Sequence, residues 1–330
     1  MATDAKAVRG DTVGPAQEAH GPVASSSDGG VQAQSNPPRG WAEEFERKWQ
    51  YLRTQESFLH SPVNTILRLI FWRAKSFFRL PATIRLDRWG LQMFLPAEWR
   101  GFSKLAFVFR ERYEPELLYL EQILSPGMTF VDAGACYGIY TLAASKIVGE
   151  AGRVMAFEPA SRAFRVLQKN IVLNSLANVL AYPLALTANS EKALLYYHPC
   201  VGCDSLGRDH SFTEIAEEIA SESLDNVLRN ISVNHVDVIK MDVQGAEELV
   251  LRGASEILRA SRPIIVFEVY PPCAVLLGLA PNGAWDFLDT LGYEFFVVDR
   301  DGKLRRELSP PADRNVVAIP KESSAASTNV

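Results

Sequence analysis

Residues Phe130–Thr141 read FVDAGACYGIYT. A short apolar run ends on Asp132, and small residues then lead into a helical pattern. Such a stretch predicts a strand, a tight turn and the start of a helix, which places a ligand at the strand's carboxyl end. The glycines are spaced Gly134-x-x-x-Gly138, with Asp132 two residues ahead of the first. A dinucleotide turn instead wants G-x-G-x-x-G, so that backbone N–H groups can approach a pyrophosphate. A phosphate loop wants G-K-[ST], and none follows here. An aspartate at this point repels a phosphate and attracts an ammonium or sulfonium group.

The rhythm around this stretch is strand, helix, strand, helix. TFVDAG, RVMAFEP, NVLAYPLAL, VDVIKMD, RPIIVFEVY, YEFFVVD and NVVAIP read as strands, with amphipathic helices between most of them. Crossover connections of this kind predict an α/β fold with a mostly parallel sheet. The last two strands follow each other directly, which permits one antiparallel edge strand. Residues 190–235 read as an irregular insert carrying a helix or two.

In such a sheet the chemistry belongs at the strand tips. Four successive tips carry acids: Asp132, Glu158, Asp242 and Glu268. Glu158, on the strand after Asp132, is placed to accept hydrogen bonds from both hydroxyls of a ribose. A ligand with a cationic amino-acid end and a free ribose is S-adenosylmethionine. The plainer alternative is that Asp132 and Glu158 are helix N-caps.

FVDAGACYGIYT, the AFEP after the second strand, KNIVLN in the next helix and VDVIKMDVQGAE together resemble the FkbM family of S-adenosylmethionine-dependent methyltransferases. LDNVL at 224–228, RPIIVFE at 262–268 and GYEFFVVDRDG fit the same pattern, so that the resemblance covers roughly 113–320. It implies a Rossmann-like class I methyltransferase fold, with a seven-stranded sheet and helices on both faces. It also implies O-methylation of a hydroxyl on a saccharide or natural-product small molecule. By similarity, Asp132, Gly134, Ala135, Tyr137, Gly138 and Thr141 would surround the methionine part, and Glu158 would hold the ribose. Ala185 and Leu186 would lie near the adenine, and Asp242 beside the cofactor. One departure stands out. The family commonly has Asp-Val-Glu-Gly-Ala-Glu where this chain has Asp242-Val-Gln244-Gly245-Ala246-Glu247.

A hydroxyl acceptor needs a base as it attacks. Asp242 is the first candidate, because its strand tip adjoins the cleft. Glu268 is the second. His198 is the third, since the insert that holds it could fold over the mouth. His235 precedes its strand and so belongs at the opposite sheet edge. Two other readings compete: a nicotinamide-dependent oxidoreductase on a related sheet, and a non-catalytic methyltransferase-like binding module.

Composition sets the remaining bounds. The 330 residues are 47% hydrophobic with a net charge of −5, which suits a folded core and argues against a nucleic-acid partner. Cys136, Cys200, Cys203 and Cys273 form no disulfide framework. Cys200 and Cys203 make a lone C-x-x-C; with His198 and His210 nearby a metal site is conceivable, but ordinary thiols are the expectation, and no metal is assigned. Residues 1–40 and 321–330 read as disordered tails around an N-terminal extension (41–112) and the methyltransferase domain (113–320). The start lacks the pattern of a secretory signal, so a cytoplasmic protein is expected. Within the extension, PVNTILRLIFWRAKSFFRL (62–80) is a helix mixing apolar and basic residues. It predicts packing on the main domain or a second subunit or, on a sharper reading, contact with an anionic membrane at the cytoplasmic face. Residues 83–110 predict short strands or a hairpin with turns.

Overall fold

The computed structural model describes residues 46, 49, 50, 52–209, 211–213 and 215–323. The expected tail 1–40 lies outside the described residues, as do His210 and the last seven residues of the C-terminal tail.

After the helices Glu56–His60 and Pro62–Phe77 comes a hairpin, β1 (Ala82–Leu86) and β2 (Leu91–Leu95). Then follow β3 (Thr129–Ala133), β4 (Arg153–Phe157), β5 (Val179–Tyr182), β6 (Ala185–Leu186), β7 (Glu191–Tyr196) and β8 (Ala216–Glu222). The chain closes with β9 (Val238–Met241), β10 (Ile264–Val269), β11 (Tyr293–Val298), β12 (Leu304–Glu307) and β13 (Arg314–Pro320). The main sheet has the order β12-β11-β13-β10-β9-β3-β4-β5. From β5 to β10 all neighbours run parallel. This is the Rossmann-like α/β sheet that the resemblance implies, its seven strands extended by the short β12.

Both faces of the sheet are covered. Phe130, Val154 and Val238 face one apolar layer, and their neighbours Val131, Met155 and Ile239 face another. Adjacent strand residues point to opposite faces, so two-sided burial turns these strands into nearly unbroken apolar runs. After β3 the chain winds outward to β4 and β5, and later resumes on the other side with β9 and β10. The switch point therefore lies between the tips of β3 and β9, where a crevice opens.

Several expectations are corrected. The final strand, β13, is antiparallel but lies inside the sheet, between β10 and β11. The antiparallel edge is β12, whose sequence LRRE hides its strand character behind charge. NVLAYPLAL is not one strand. It breaks around Pro183, which has no N–H for a ladder, and Ala185–Leu186 pairs with β8 instead. The insert is not irregular, because β6, β8 and β7 form a second sheet. Within 83–110 the hairpin is present, but FSKLAFVF forms the helix Phe102–Phe109, with Phe102, Ala106, Phe107 and Phe109 buried. Aromatic density there signals burial rather than a strand.

The two asparagines of KNIVLN hold the hairpin to the main domain. Asn170 accepts from Phe94 N at 2.6 Å and donates to Phe94 O at 3.2 Å. Asn174 does the same for Gln92, at 2.7 and 2.6 Å. Two side-chain amides thus satisfy the open edge of β2, which would otherwise expose unpaired backbone groups. Asn170 also donates to Tyr137 O at 2.9 Å, which ties the hairpin to the loop after β3.

Candidate cofactor cleft

The cleft at the switch point encloses about 1190 Å³ of non-protein space, part of it open to solvent. The loop after β3 forms its floor. Gly134 has φ +79°, and a Cβ there would sit 1.9 Å from the Asp242 carbonyl oxygen. Glycine is therefore demanded twice at this position, by the left-handed backbone and by the close approach of the chain after β9. Gly134→Ala is expected to lower stability by at least about 2 kcal/mol; a denaturation midpoint equal to the parent's would contradict this. Gly138 has φ +90°, and a Cβ there would meet Leu167 Cδ1 at 2.5 Å, so its role is to seat the helix Ile139–Val148.

Asp132 lies at the tip of β3, buried, with Oδ2 accepting from Thr141 Oγ1 at 2.5 Å. Burial pushes its carboxyl up to about 6, against the opposing pull of Thr141 and Lys240. Glu158 is held by both oxygens: Oε1 accepts from Ala160 N and Oε2 from Cys136 N, each at 2.8 Å. Burial moves it up to about 7. Ala160 is the N-cap of the helix Ser161–Leu173, so Glu158 steadies the entry to that helix and still faces the cleft. Each oxygen keeps acceptor capacity after one backbone bond.

Asp242 follows β9 and lines the cleft. Gln244, in the left-handed region at φ +53°, donates through Nε2 to Asp242 Oδ1 at 2.8 Å and to Glu268 Oε2 at 3.1 Å. The residue that departs from the family pattern is thus an amide bridging two carboxylates. A glutamate there would add a third negative charge. Glu247 braces the same turn, its Oε1 accepting from Val243 N at 3.0 Å.

Lys240 is a cleft residue that no sequence signal marks. It is 1% exposed, lines the cleft, and its Nζ donates to Met241 O at 3.1 Å. Burial alone would lower its pKa. Asp242, Glu114, Glu268 and Asp132 outweigh that and hold it above its ordinary value. A lone lysine in VDVIKMD reads as a strand's polar face, and only the fold shows that both faces are covered. Glu114, ahead of the helix Pro115–Ile123, is a second such residue; it faces the cleft and accepts from Tyr140 Oη at 2.5 Å.

Of the residues singled out from sequence, Asp132, Gly134, Ala135, Glu158, Ala185, Leu186 and Asp242 line the cleft together. Tyr137, Gly138 and Thr141 stand behind it. Tyr137 packs edge-on against Phe102 and donates its hydroxyl to Glu98, while Thr141 orients Asp132. Glu268 reaches the cleft only through Gln244 and faces a small neighbouring cavity. Burial and the nearby Asp242 raise its pKa. His198 is not part of the lining; its Nδ1 accepts from Cys200 N at 3.1 Å and its ring meets Phe212. The insert does reach the mouth, through Val201–Leu206, and Ser205 Oγ donates to Gln244 O at 2.9 Å. Cys200 and Cys203 bracket a turn there, closed by a 3.3 Å bond from Cys203 N to Cys200 O. Among the described residues, no group of three or more His, Cys, Asp and Glu is placed to hold a metal ion.

Five carboxylates line the cleft (Glu114, Asp132, Glu158, Asp204 and Asp242), against Lys240 as the one cation among the described residues. Asp204 is paired with Arg162. That electrostatic balance disfavours a pyrophosphate and suits a ligand with a positive centre and hydroxyl donors. The glycine cradle, the ionisable Asp132 and the doubly held Glu158 fit S-adenosylmethionine on these grounds.

Residues 132–295 match the family described as Methyltransferase FkbM domain. The chain is 26% identical over 145 residues to Methyltransferase 1 of Beauveria bassiana, covering 38% of this chain and 58% of that protein. It is also 26% identical over 175 residues to Methyltransferase sdnD of Sordaria araneosa, covering 44% and 67%. A solved structure, methyltransferase FkbM from Methylobacillus flagellatus KT, aligns at TM-score 0.38 and 14% identity over 66% of this chain and 53% of that one.

Proposed function

From the premise that this chain carries an FkbM methyltransferase domain, we propose that it is an S-adenosylmethionine-dependent O-methyltransferase acting on a hydroxyl of a saccharide or natural-product small molecule. The observation that carries the reading is the convergence of Asp132, Glu158 and Asp242 on one cleft whose other lining groups are mostly apolar or backbone. Glu158 accepts the two ribose hydroxyls, held in place for this by Cys136 N and Ala160 N. Asp132, oriented by Thr141, faces the cationic amino-acid end. Ala185 and Leu186 supply an apolar wall for the base. S-adenosylmethionine, when bound, supplies an electrophilic methyl group on a sulfonium.

Asp242 would hold the acceptor hydroxyl and take its proton. Of the three candidate bases it alone lines the cleft. Gln244 fixes its carboxylate by donating to Oδ1 at 2.8 Å. The cleft's apolar wall, with Phe102, Leu105 and Leu195, excludes water from the transfer.

The carboxyl pKa values set a pH dependence. Accepting hydroxyl donors and facing a cation both require the ionised forms of Glu158 and Asp132. Their free-protein values are about 7 and about 6. Below these values, binding must first expel protons, which weakens it. Affinity for S-adenosylmethionine is therefore expected to rise as pH increases from 5 to about 7 and to level off by pH 8. Calorimetric titration across that range checks it, and a constant affinity would count against both roles.

The function is tested by incubating the full chain with methyl-labelled S-adenosylmethionine and fractionated cell extract. Label is expected in a saccharide or small-molecule fraction, as a methyl ether that survives mild alkali. Label released by alkali as an ester, or found in nucleic acid, would refute the proposal.

A further inference from the structure

The helix Pro62–Phe77 has two distinct faces. Its inner face, with Thr65, Leu69, Trp72 and Ser76, packs toward the helix Phe102–Phe109. Its outer face carries Val63, Leu67, Ile70, Phe71 and Phe77 at helical spacing, all exposed, and Phe78 continues the stripe. Phe71 is 61% exposed, Phe77 73% and Phe78 67%. The outward stripe is thus more apolar than the inward one, the reverse of a helix built only to cover a core.

The charge pattern indicates what covers it. Residues 62–80 contain four basic side chains (Arg68, Arg73, Lys75 and Arg79) and no acidic one. Arg68 turns inward to Val108 O, whereas Arg73 stacks on the exposed Trp99 ring at 4.4 Å and Arg79 is exposed. Arg100 adds a further exposed cation beside Trp99. Large apolar side chains rimmed by cations, with an exposed tryptophan at the margin, match an anionic lipid surface in both its layers. A second copy of this chain fits less well. A two-fold axis would set these acid-free stretches against each other, cation facing cation. Among the described residues no helix is long and apolar enough to cross a membrane, so the segment would lie on the bilayer.

We propose that the outer face of this helix, together with Phe78 and Trp99, is a docking surface for an anionic lipid bilayer. The surface is rigidly joined to the cleft. Trp72 Nε1 and Ser76 Oγ both donate to Glu98 O at 2.8 Å, and Arg73 Nη1 donates to Trp99 O at 3.1 Å. Gly101 and Phe102, next along the chain, line the cleft mouth. Docking therefore brings the cleft's edge to the lipid surface.

The test uses the full chain and sedimentation with vesicles, either of phosphatidylcholine alone or with about 30 mol% phosphatidylserine. Binding to the anionic vesicles is expected, with weakening at high salt. Phe71→Glu and Arg79→Glu are each expected to lower vesicle affinity about tenfold, since both place a negative charge on the docking face. Both positions are exposed, so the thermal unfolding of each variant should match the parent's. Failure of the parent to bind anionic vesicles at low salt would overturn the proposal, as would equal binding to neutral ones or unchanged binding by both variants. A parent dimer that Phe71→Glu converts to monomer, without vesicle binding by the parent, would assign the face to a second copy instead.

Discussion

Glu158→Gln is expected to weaken S-adenosylmethionine binding about a hundredfold while leaving a folded protein. The side chain keeps its shape, but one oxygen becomes an amide that donates. The two charge-assisted hydrogen bonds proposed to the ribose hydroxyls would then be replaced by at most one neutral bond, a loss of about 3 kcal/mol. Part of the effect is structural. Glu158 accepts from Cys136 N and Ala160 N, and the amide will face one of these donors. A buried N–H without an acceptor costs about 1–3 kcal/mol, so a lower denaturation midpoint is expected alongside. Calorimetry separates the two effects, because the variant can be titrated where it is fully folded. Affinity within threefold of the parent's would remove Glu158 from the ribose.

Lys240→Met is expected to have the largest effect on stability. Lys240 is 1% exposed, and Asp242, Glu114, Glu268 and Asp132 all act on it. Methionine fills the space, yet it leaves these acids without their buried cation. Removing one partner of a buried ionic cluster typically costs about 3–5 kcal/mol. The sign of its pH dependence follows from the carboxyls. Asp132 and Glu114 already titrate above their ordinary values, and loss of Lys240 raises them further. A carboxyl whose folded pKa is raised contributes its full stability below its unfolded pKa and loses it as pH rises through the folded one. The deficit of the variant should therefore be small near pH 5 and greatest above pH 7. Urea denaturation at pH 5 and pH 8 checks this. A deficit that grows on acidification would mean that Lys240 does not serve these acids.

Much of this was legible before the fold was known. The tips of β3, β4 and β9 could be read because an apolar run that stops at an acid is a short-range signal. The seven main strands follow from the same periodicity. What escaped was set by long-range packing. Lys240 reads as an ordinary polar strand residue until both sheet faces are seen to be covered. Thr141 could be placed near the site, but not as the group that orients Asp132. Gln244 could be noted only as a departure; its bridge depends on a left-handed backbone and on Glu268 arriving from the next strand. Cys136 and Tyr137 have plain roles in holding the loop. The Cys136 N–H anchors Glu158, and Tyr137 packs behind the loop on Phe102 and Glu98. The insert, the edge strand and the segment after the hairpin were misread where charged or aromatic residues obscured the period, in β7, β8, β12 and the helix Phe102–Phe109.

Every role proposed for the cleft turns on which cofactor it takes. Calorimetric titration of the full chain with S-adenosylmethionine, and separately with NAD, decides this. Saturable binding of S-adenosylmethionine at one site per chain, abolished by prior addition of S-adenosylhomocysteine and without binding of NAD, is the predicted result. Binding of NAD without binding of S-adenosylmethionine would contradict it, and binding of neither would leave the domain a non-catalytic module.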